Sequence, residues 1–194
     1  MKHNFVIFGA PGSGKGTQSK KITDKYGLFH ISTGDLLRDH IKRGSELGKV
    51  ADSYISKGQL IPDALMIDIL RNHIKEHPEA KNGIIFDGFP RTIPQAQELN
   101  RLMKELDSEI HAVLGLEVDE NELITRLIKR GEESGRTDDN LETIKNRLDV
   151  YHNSTQPLKE FYSHTGHYRK IEGSGSIDDI FNNISSHIDP IVKK

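Results

Sequence analysis

Apolar residues recur along this chain in two alternating periods. Five short, nearly continuous apolar runs read as strands: Asn4 to Phe8, Leu28 to Ser32, Gly83 to Asp87, Ala112 to Val118 and Tyr168 to Glu172. Runs of that kind suit strands buried on both faces of a parallel sheet. Between them apolar positions fall three and four apart, which predicts amphipathic helices. Leu65, Met66, Ile69, Leu70 and Ile74 mark one stripe, and Ala96, Leu99, Leu102, Met103 and Leu106 another. Leu123, Ile124, Leu127 and Ile128 follow, then Leu141, Ile144, Leu148 and Tyr151, and finally Ile177, Ile180, Phe181, Ile184 and Ile188. All are expected in the core. Asp119 with Glu122, and Ser176 with Asp179, have the spacing of capping boxes.

This alternation predicts an α/β three-layer sandwich, a five-stranded parallel sheet with helices on both faces. Two stretches depart from it. Thr33 to Glu76, punctuated by Gly44, Gly48, Gly58 and Pro62, is longer than one crossover helix needs and reads as a small helical subdomain. Gly131 to Thr137 is polar and glycine-bounded, hence a mobile surface loop.

Length and charge narrow the function. With 194 residues, the chain suits one domain with small insertions. Its 27 basic and 29 acidic side chains nearly cancel, which argues against electrostatic binding to nucleic acid or membranes. Cysteine is absent, which removes any disulfide framework or thiolate zinc site. The first apolar run is too short for a signal peptide or membrane span, so a cytoplasmic protein is expected. The 10 histidines are scattered without H-E-x-x-H spacing.

The most informative chemistry is Gly9-Ala10-Pro11-Gly12-Ser13-Gly14-Lys15-Gly16-Thr17, between the first strand and a helical stretch. Glycines let the backbone turn tightly and approach a ligand without Cβ obstruction. A helix starting near Lys15 aims unpaired N–H groups into the loop, an anion site. Lys15 adds a full charge, and Thr17 a hydroxyl for phosphate or magnesium. The run binds a nucleotide by its phosphates. In a doubly wound sheet, ligands lie beyond the carboxyl ends of the strands. That end also collects Ser32 to Asp35 and Asp87 to Arg91. Asp87 ends a strand, where phosphate-loop proteins place a magnesium-holding carboxylate.

Arg38, Arg91, Arg130, Arg136 and Arg147 fall at strand ends, on the polar loop or on helices beside it. Guanidinium groups bind phosphate bidentately and keep their charge. One triphosphate needs few of them, so the surplus argues for transfer between two phosphorylated substrates. A guanine-reading Asn-Lys-x-Asp is missing: Asn146-Arg147-Leu148-Asp149 lacks the lysine and lies in a helical run. A kinase-type H-R-D loop is also missing.

With these residues in view, the chain resembles the nucleoside monophosphate kinases, specifically adenylate kinases of short-lid form. The matching segments are residues 9–18, Ser-Thr-Gly-Asp-Leu-Leu-Arg at 32–38, Asp-Gly-Phe-Pro-Arg at 87–91 and the lid-like segment at 129–140. The resemblance implies reversible transfer from magnesium-ATP to AMP, giving two ADP. It implies that Gly12, Ser13, Gly14, Lys15, Gly16 and Thr17 bind ATP phosphates, with Arg130 and the backbone near Gly175. It assigns AMP to Thr33, Arg38, Gln59, Leu60, Ile61, Gly88, Phe89, Pro90, Arg91 and Gln95, with Arg136 and Arg147 on the acceptor side. Lys15, Arg91, Arg130, Arg136 and Arg147 would act on the transferred group, and Asp87 would position Mg2+ through water. Segment 32–61 would be a mobile AMP-binding domain and about 130–140 the lid. No zinc and a monomer are expected. A UMP/CMP kinase shares this architecture; Gln95 and Thr33 favour adenine. A nucleotide-binding switch without transfer activity is the alternative from another class.

Overall fold

A computed structural model describes residues 3–193. Strands β1 (Asn4–Gly9), β2 (Phe29–Ser32), β3 (Ile84–Asp87), β4 (Ile110–Glu117) and β5 (Tyr168–Glu172) form one parallel sheet in the order β2-β3-β1-β4-β5. The order of elements is β1, α1 (Lys15–Tyr26), β2, α2 (Thr33–Lys42), α3 (Glu46–Ile55), α4 (Asp63–Glu76), β3, α5 (Ile93–Glu105) and β4. It continues with α6 (Glu120–Ser134), α7 (Leu141–Val150), α8 (Leu158–His164), β5 and α9 (Ile177–Val192). The α/β sandwich is as the alternation predicts.

Strand alternation assigns the two faces. Phe5 and Ile7 of β1 pack with Ile22 of α1 and Ile180, Ile184 and Ile188 of α9. Val6 and Phe8 face the other way, onto Leu37, Met66, Leu70, Leu99 and Met103 from α2, α4 and α5. A third cluster joins Ala10 to Leu123, Leu127, Ile144 and Leu148, seating α6 and α7 against the glycine-rich loop. Burial on both faces holds for β1, β3 and most of β4 but fails at the edges, where most of β2 and β5 is only half-covered. Four stripe residues are also exposed rather than core: Leu106, Ile128, Leu141 and Ile177. Leu141 and Ile177 open their helices and Leu106 follows the end of one.

Side chains start most helices. Ser32, Ser45, Thr92, Asp119, Asn140 and Ser176 each accept an N–H from the first turn of the helix that follows. Ser176 and Asp179 also bond through their side chains at 2.6 Å. Asp119 caps α6, but Glu122 turns away to Arg126 and Ser174, so that pair is only half a capping box. The register aligns Ile7 and Ser32 with Asp87, which brings the exits of β1, β2 and β3 to one rim. Among the described residues, no helix is long and apolar enough to cross a membrane.

Candidate active site

That rim opens on a cleft of about 930 Å³, near the upper end of the usual range for ligand pockets. Its floor is the glycine-rich loop. Gly12 and Gly14 have φ of +85° and +91°, conformations that side chains with a Cβ rarely adopt. At Gly12 a Cβ would also lie 2.9 Å from Leu127 Cγ, so the loop sits directly on α6. The Lys15 ammonium donates to the carbonyl oxygens of Gly9 and Ala10, both at 2.8 Å. Burial lowers its pKa to about 7; Asp87 opposes the shift, while Arg91, Arg147 and Arg130 add to it. Ser13, Gly16 and Thr17 line the same wall, and Asp87 Oδ2 would lie 3.7 Å from a Cβ on Gly16.

The five arginines meet here from separate elements. Arg91 leaves β3 and is locked from three sides. Its Nε donates to Gly88 O at 2.7 Å, its backbone N–H to Gln95 Oε1 at 2.7 Å, and its carbonyl accepts from Thr155 Oγ1 at 2.9 Å. Thr155 closes a wide π-type turn, Tyr151–Thr155, that follows α7. Burial, then repulsion from Arg147, lowers the Arg91 pKa to about 10. Arg130 forks onto Asp139 at 2.6 and 2.8 Å, and Arg147 bonds Asp139 Oδ1 at 2.6 Å and Asp138 Oδ2 at 2.9 Å. Arg38 donates to Asp35 at 2.6 Å, with Arg136 3.6 Å from the same oxygen. Burial lowers the pKa of Arg136 and Arg147, and neighbouring cations deepen both shifts. Burial alone would raise Asp139, but its bonds to Arg130 and Arg147 outweigh that and hold it below its usual value. The cleft is a set of mutually repelling cations held in place by a few carboxylates, a setting that a polyanion relieves.

Several of the residues that the resemblance assigns to the acceptor surround a smaller pocket of about 60 Å³ that opens beside Arg38 and Arg91. Thr33, Gln59, Leu60, Ile61, Gly88 and Gln95 line it. The Thr33 hydroxyl donates to Gly88 O at 2.9 Å, tying the exits of β2 and β3 together. Gln95 is buried, with Oε1 on Arg91 N and Nε2 on Asp63 Oδ1 at 2.8 Å. Pro90 lines the large cleft. Phe89 lines neither pocket; its side chain is 1% exposed and lies in the core. The Phe89–Pro90 peptide is cis. At the far end of the cleft stand Gly175, Ile177 and Arg126, the last donating to Gly173 O at 3.2 Å.

Sequence reasoning put Asp35 at the rim but gave the carboxylates no role in holding the arginines. Asp35, Asp138 and Asp139 set the arginine positions, and Asp63 holds Gln95, yet only Asp35 lies within a helical turn of an arginine it binds through its side chain. It also missed His30, whose Nε2 is 3.5 Å from Asp87 Oδ2. A run of aspartates between two arginines, Arg136 to Arg147, was the one available signal.

No group of three or more His, Cys, Asp or Glu among the described residues has the arrangement to hold a metal ion. The oxygens of Asp87 and Thr17 do fit a hard cation that arrives with phosphates, since magnesium is usually held by one or two carboxylates plus substrate oxygens.

Comparison with known proteins agrees along nearly the whole chain. The model of the family described as adenylate kinase matches residues 7–167. A Bacteroides fragilis adenylate kinase is 58% identical over 188 residues, covering 97% of this chain and 99% of the relative. Its counterpart in Phocaeicola vulgatus is 56% identical over the same length, with the same coverage. A Porphyromonas gingivalis adenylate kinase is 48% identical over 191 residues, 98% of this chain and 96% of the relative.

Proposed function

The chain belongs to the adenylate kinase family, and from that premise we infer that its cleft moves a phosphoryl group from ATP to AMP, reversibly, giving two ADP. The observation that carries this reading is the gathering of Arg38, Arg91, Arg130, Arg136 and Arg147 with the glycine-rich loop around a single cleft, with Arg126 as a sixth. A triphosphate alone would not need them. Two nucleotides meeting by their phosphates would.

In this reading Gly12 to Thr17 hold the ATP phosphates, and Arg126, Gly175 and Ile177 border its base. AMP takes the part of the cleft that opens into the smaller pocket, its base directed at Gln95 and Thr33 and its phosphate on Arg38 and Arg91. The acceptor phosphate is largely ionised at neutral pH, its second pKa being about 6, so no general base is required. One of its oxygens attacks the γ-phosphorus as the bond from that phosphorus to the β–γ bridging oxygen breaks, and ADP leaves. Lys15, Arg91, Arg130, Arg136 and Arg147 stabilise the charge that spreads over the transferring oxygens. Magnesium, when bound with ATP, neutralises β- and γ-phosphate charge, and Asp87 would orient its water ligands, with Thr17 beside the phosphates.

The contact of Arg136 with Asp35 links the two segments proposed as closing arms, segment 32–61 and a lid near 130–140. Closure would exclude water and so suppress hydrolysis of ATP. The substrates are soluble nucleotides, which fits the cytoplasm, and a monomer is the state proposed. Names of relatives and the Gln95–Thr33 pair favour adenine over pyrimidine acceptors. The direct test is product analysis: ATP alone yields little phosphate, and adding AMP yields ADP. Phosphate release independent of any monophosphate would contradict the reading.

A further inference from the structure

The Gln95 amide lies between the small pocket and the backbone of Arg91, and its two ends are not interchangeable. Oε1 accepts from Arg91 N at 2.7 Å, while Nε2 donates to Asp63 Oδ1 at 2.8 Å. Asp63 Oδ2 accepts from Thr92 Oγ1 at 2.9 Å, and Thr92 Oγ1 accepts the Gln95 backbone N–H at 3.2 Å. A carboxylate offers only acceptors and a backbone N–H only a donor. Turned over, the amide would set N–H against N–H and oxygen against oxygen. As it stands, one N–H and one oxygen lone pair remain for the pocket it walls.

Asp63 opens α4, just beyond segment 32–61, and lines neither the cleft nor the small pocket. It therefore reaches the acceptor only through Gln95. We propose that Asp63 is a positioning residue for acceptor choice. By fixing the Gln95 amide it makes the pocket complementary to adenine, whose pairing edge carries a ring-nitrogen acceptor beside an amino donor. Guanine, equal in size, presents a ring N–H donor beside a carbonyl acceptor, the reverse order. The same amide oxygen holds the Arg91 backbone, so base recognition and placement of the phosphate-binding arginine share one group.

The inference rests on Gln95 as the base reader, and the test separates the two. AMP and GMP are compared as acceptors, with KM for ATP measured alongside, in the wild type, Asp63→Asn and Asp63→Ala. For Asp63→Ala, KM for AMP rises about ten-fold and the AMP-over-GMP ratio of kcat/KM falls about ten-fold, with KM for ATP within about two-fold. Asp63→Asn keeps one acceptor oxygen and packing volume, so its ratio lies between the other two. An unchanged ratio in folded Asp63→Ala, or a parallel rise in both KM values, overturns the proposal. Should Asp63→Ala not fold, a wild-type ratio in Asp63→Asn overturns it equally. A wild type that accepts GMP as well as AMP would overturn Gln95 as reader, and this inference with it.

Discussion

The two walls of the cleft, proposed to meet the phosphates, are built by different means. The loop wall is one contiguous run, shaped by a backbone that Gly12 and Gly14 allow and closed by Lys15 on its own carbonyls. The arginine wall has no contiguous run. Its guanidinium groups arrive from α2, α6, α7 and two loops, and Asp35, Asp138 and Asp139 hold four of the five. One wall is set by sterics, the other by charge balance. Their weak points differ accordingly: an added Cβ on the loop, a removed charge on the arginines.

Removing a cation that faces the transferring group is the most severe change. Lys15→Met and Arg91→Ala are each expected to lower kcat about 10³-fold while both variants remain folded. Steady-state turnover with circular dichroism checks both; normal turnover in a folded variant removes the assigned role. The next effect comes through a residue that touches no substrate. Asp139→Ala frees Arg130 and leaves Arg147 held by Asp138 alone, and misplacement by about 1 Å costs about 10²-fold. If Asp139→Ala keeps full turnover, carboxylates do not set the arginine wall.

On the loop wall, glycines 12 and 14 make a paired test. Both have positive φ, but a Cβ at 12 meets Leu127 and Leu123, whereas at 14 nothing lies within 4 Å. Gly12→Ala is expected to cost about 2 kcal/mol, a drop in midpoint of roughly 4–8 °C, and Gly14→Ala clearly less. Equal losses would show that contact with α6 is irrelevant and backbone strain alone matters.

The smallest effect is a proton. With the Lys15 pKa at about 7, the free protein carries this lysine mostly neutral at pH 8, and bound phosphates favour its charged form. ATP binding at pH 8 therefore takes up close to one proton, about 0.9 from this group. Calorimetry in buffers of different ionisation enthalpy reads it, and a buffer-independent enthalpy contradicts it. The unfolded chain holds that proton up to a pKa of about 10.4, so the stability of the free protein rises with pH from about 7 towards 10. Lys15→Met removes the slope.

The same contrast explains what the sequence revealed. The loop wall was legible because its residues are neighbours, and the spacing that makes a phosphate site is the spacing on the page. The sheet was legible for a related reason, since each strand announces itself locally. Apolar spacing carries no record of which residue opens a helix, so Ile177 and Leu141 read as core and stand exposed. The resemblance assigns Phe89 to the acceptor with its whole segment, but a side chain at a strand exit faces either the rim or the core, and this one faces the core. The arginines were legible as a surplus, their arrangement was not. It depends on Asp139 reaching back nine residues to Arg130, and on Asp63 meeting Gln95 across 32 residues.

If both walls serve one transfer, a single molecule spanning them must satisfy both. Two adenosines joined through five phosphates, titrated calorimetrically into the protein, are predicted to bind one per chain, more tightly than ATP or AMP, and to displace each of them. Binding no tighter than ATP alone, or failure to displace AMP, would contradict the account.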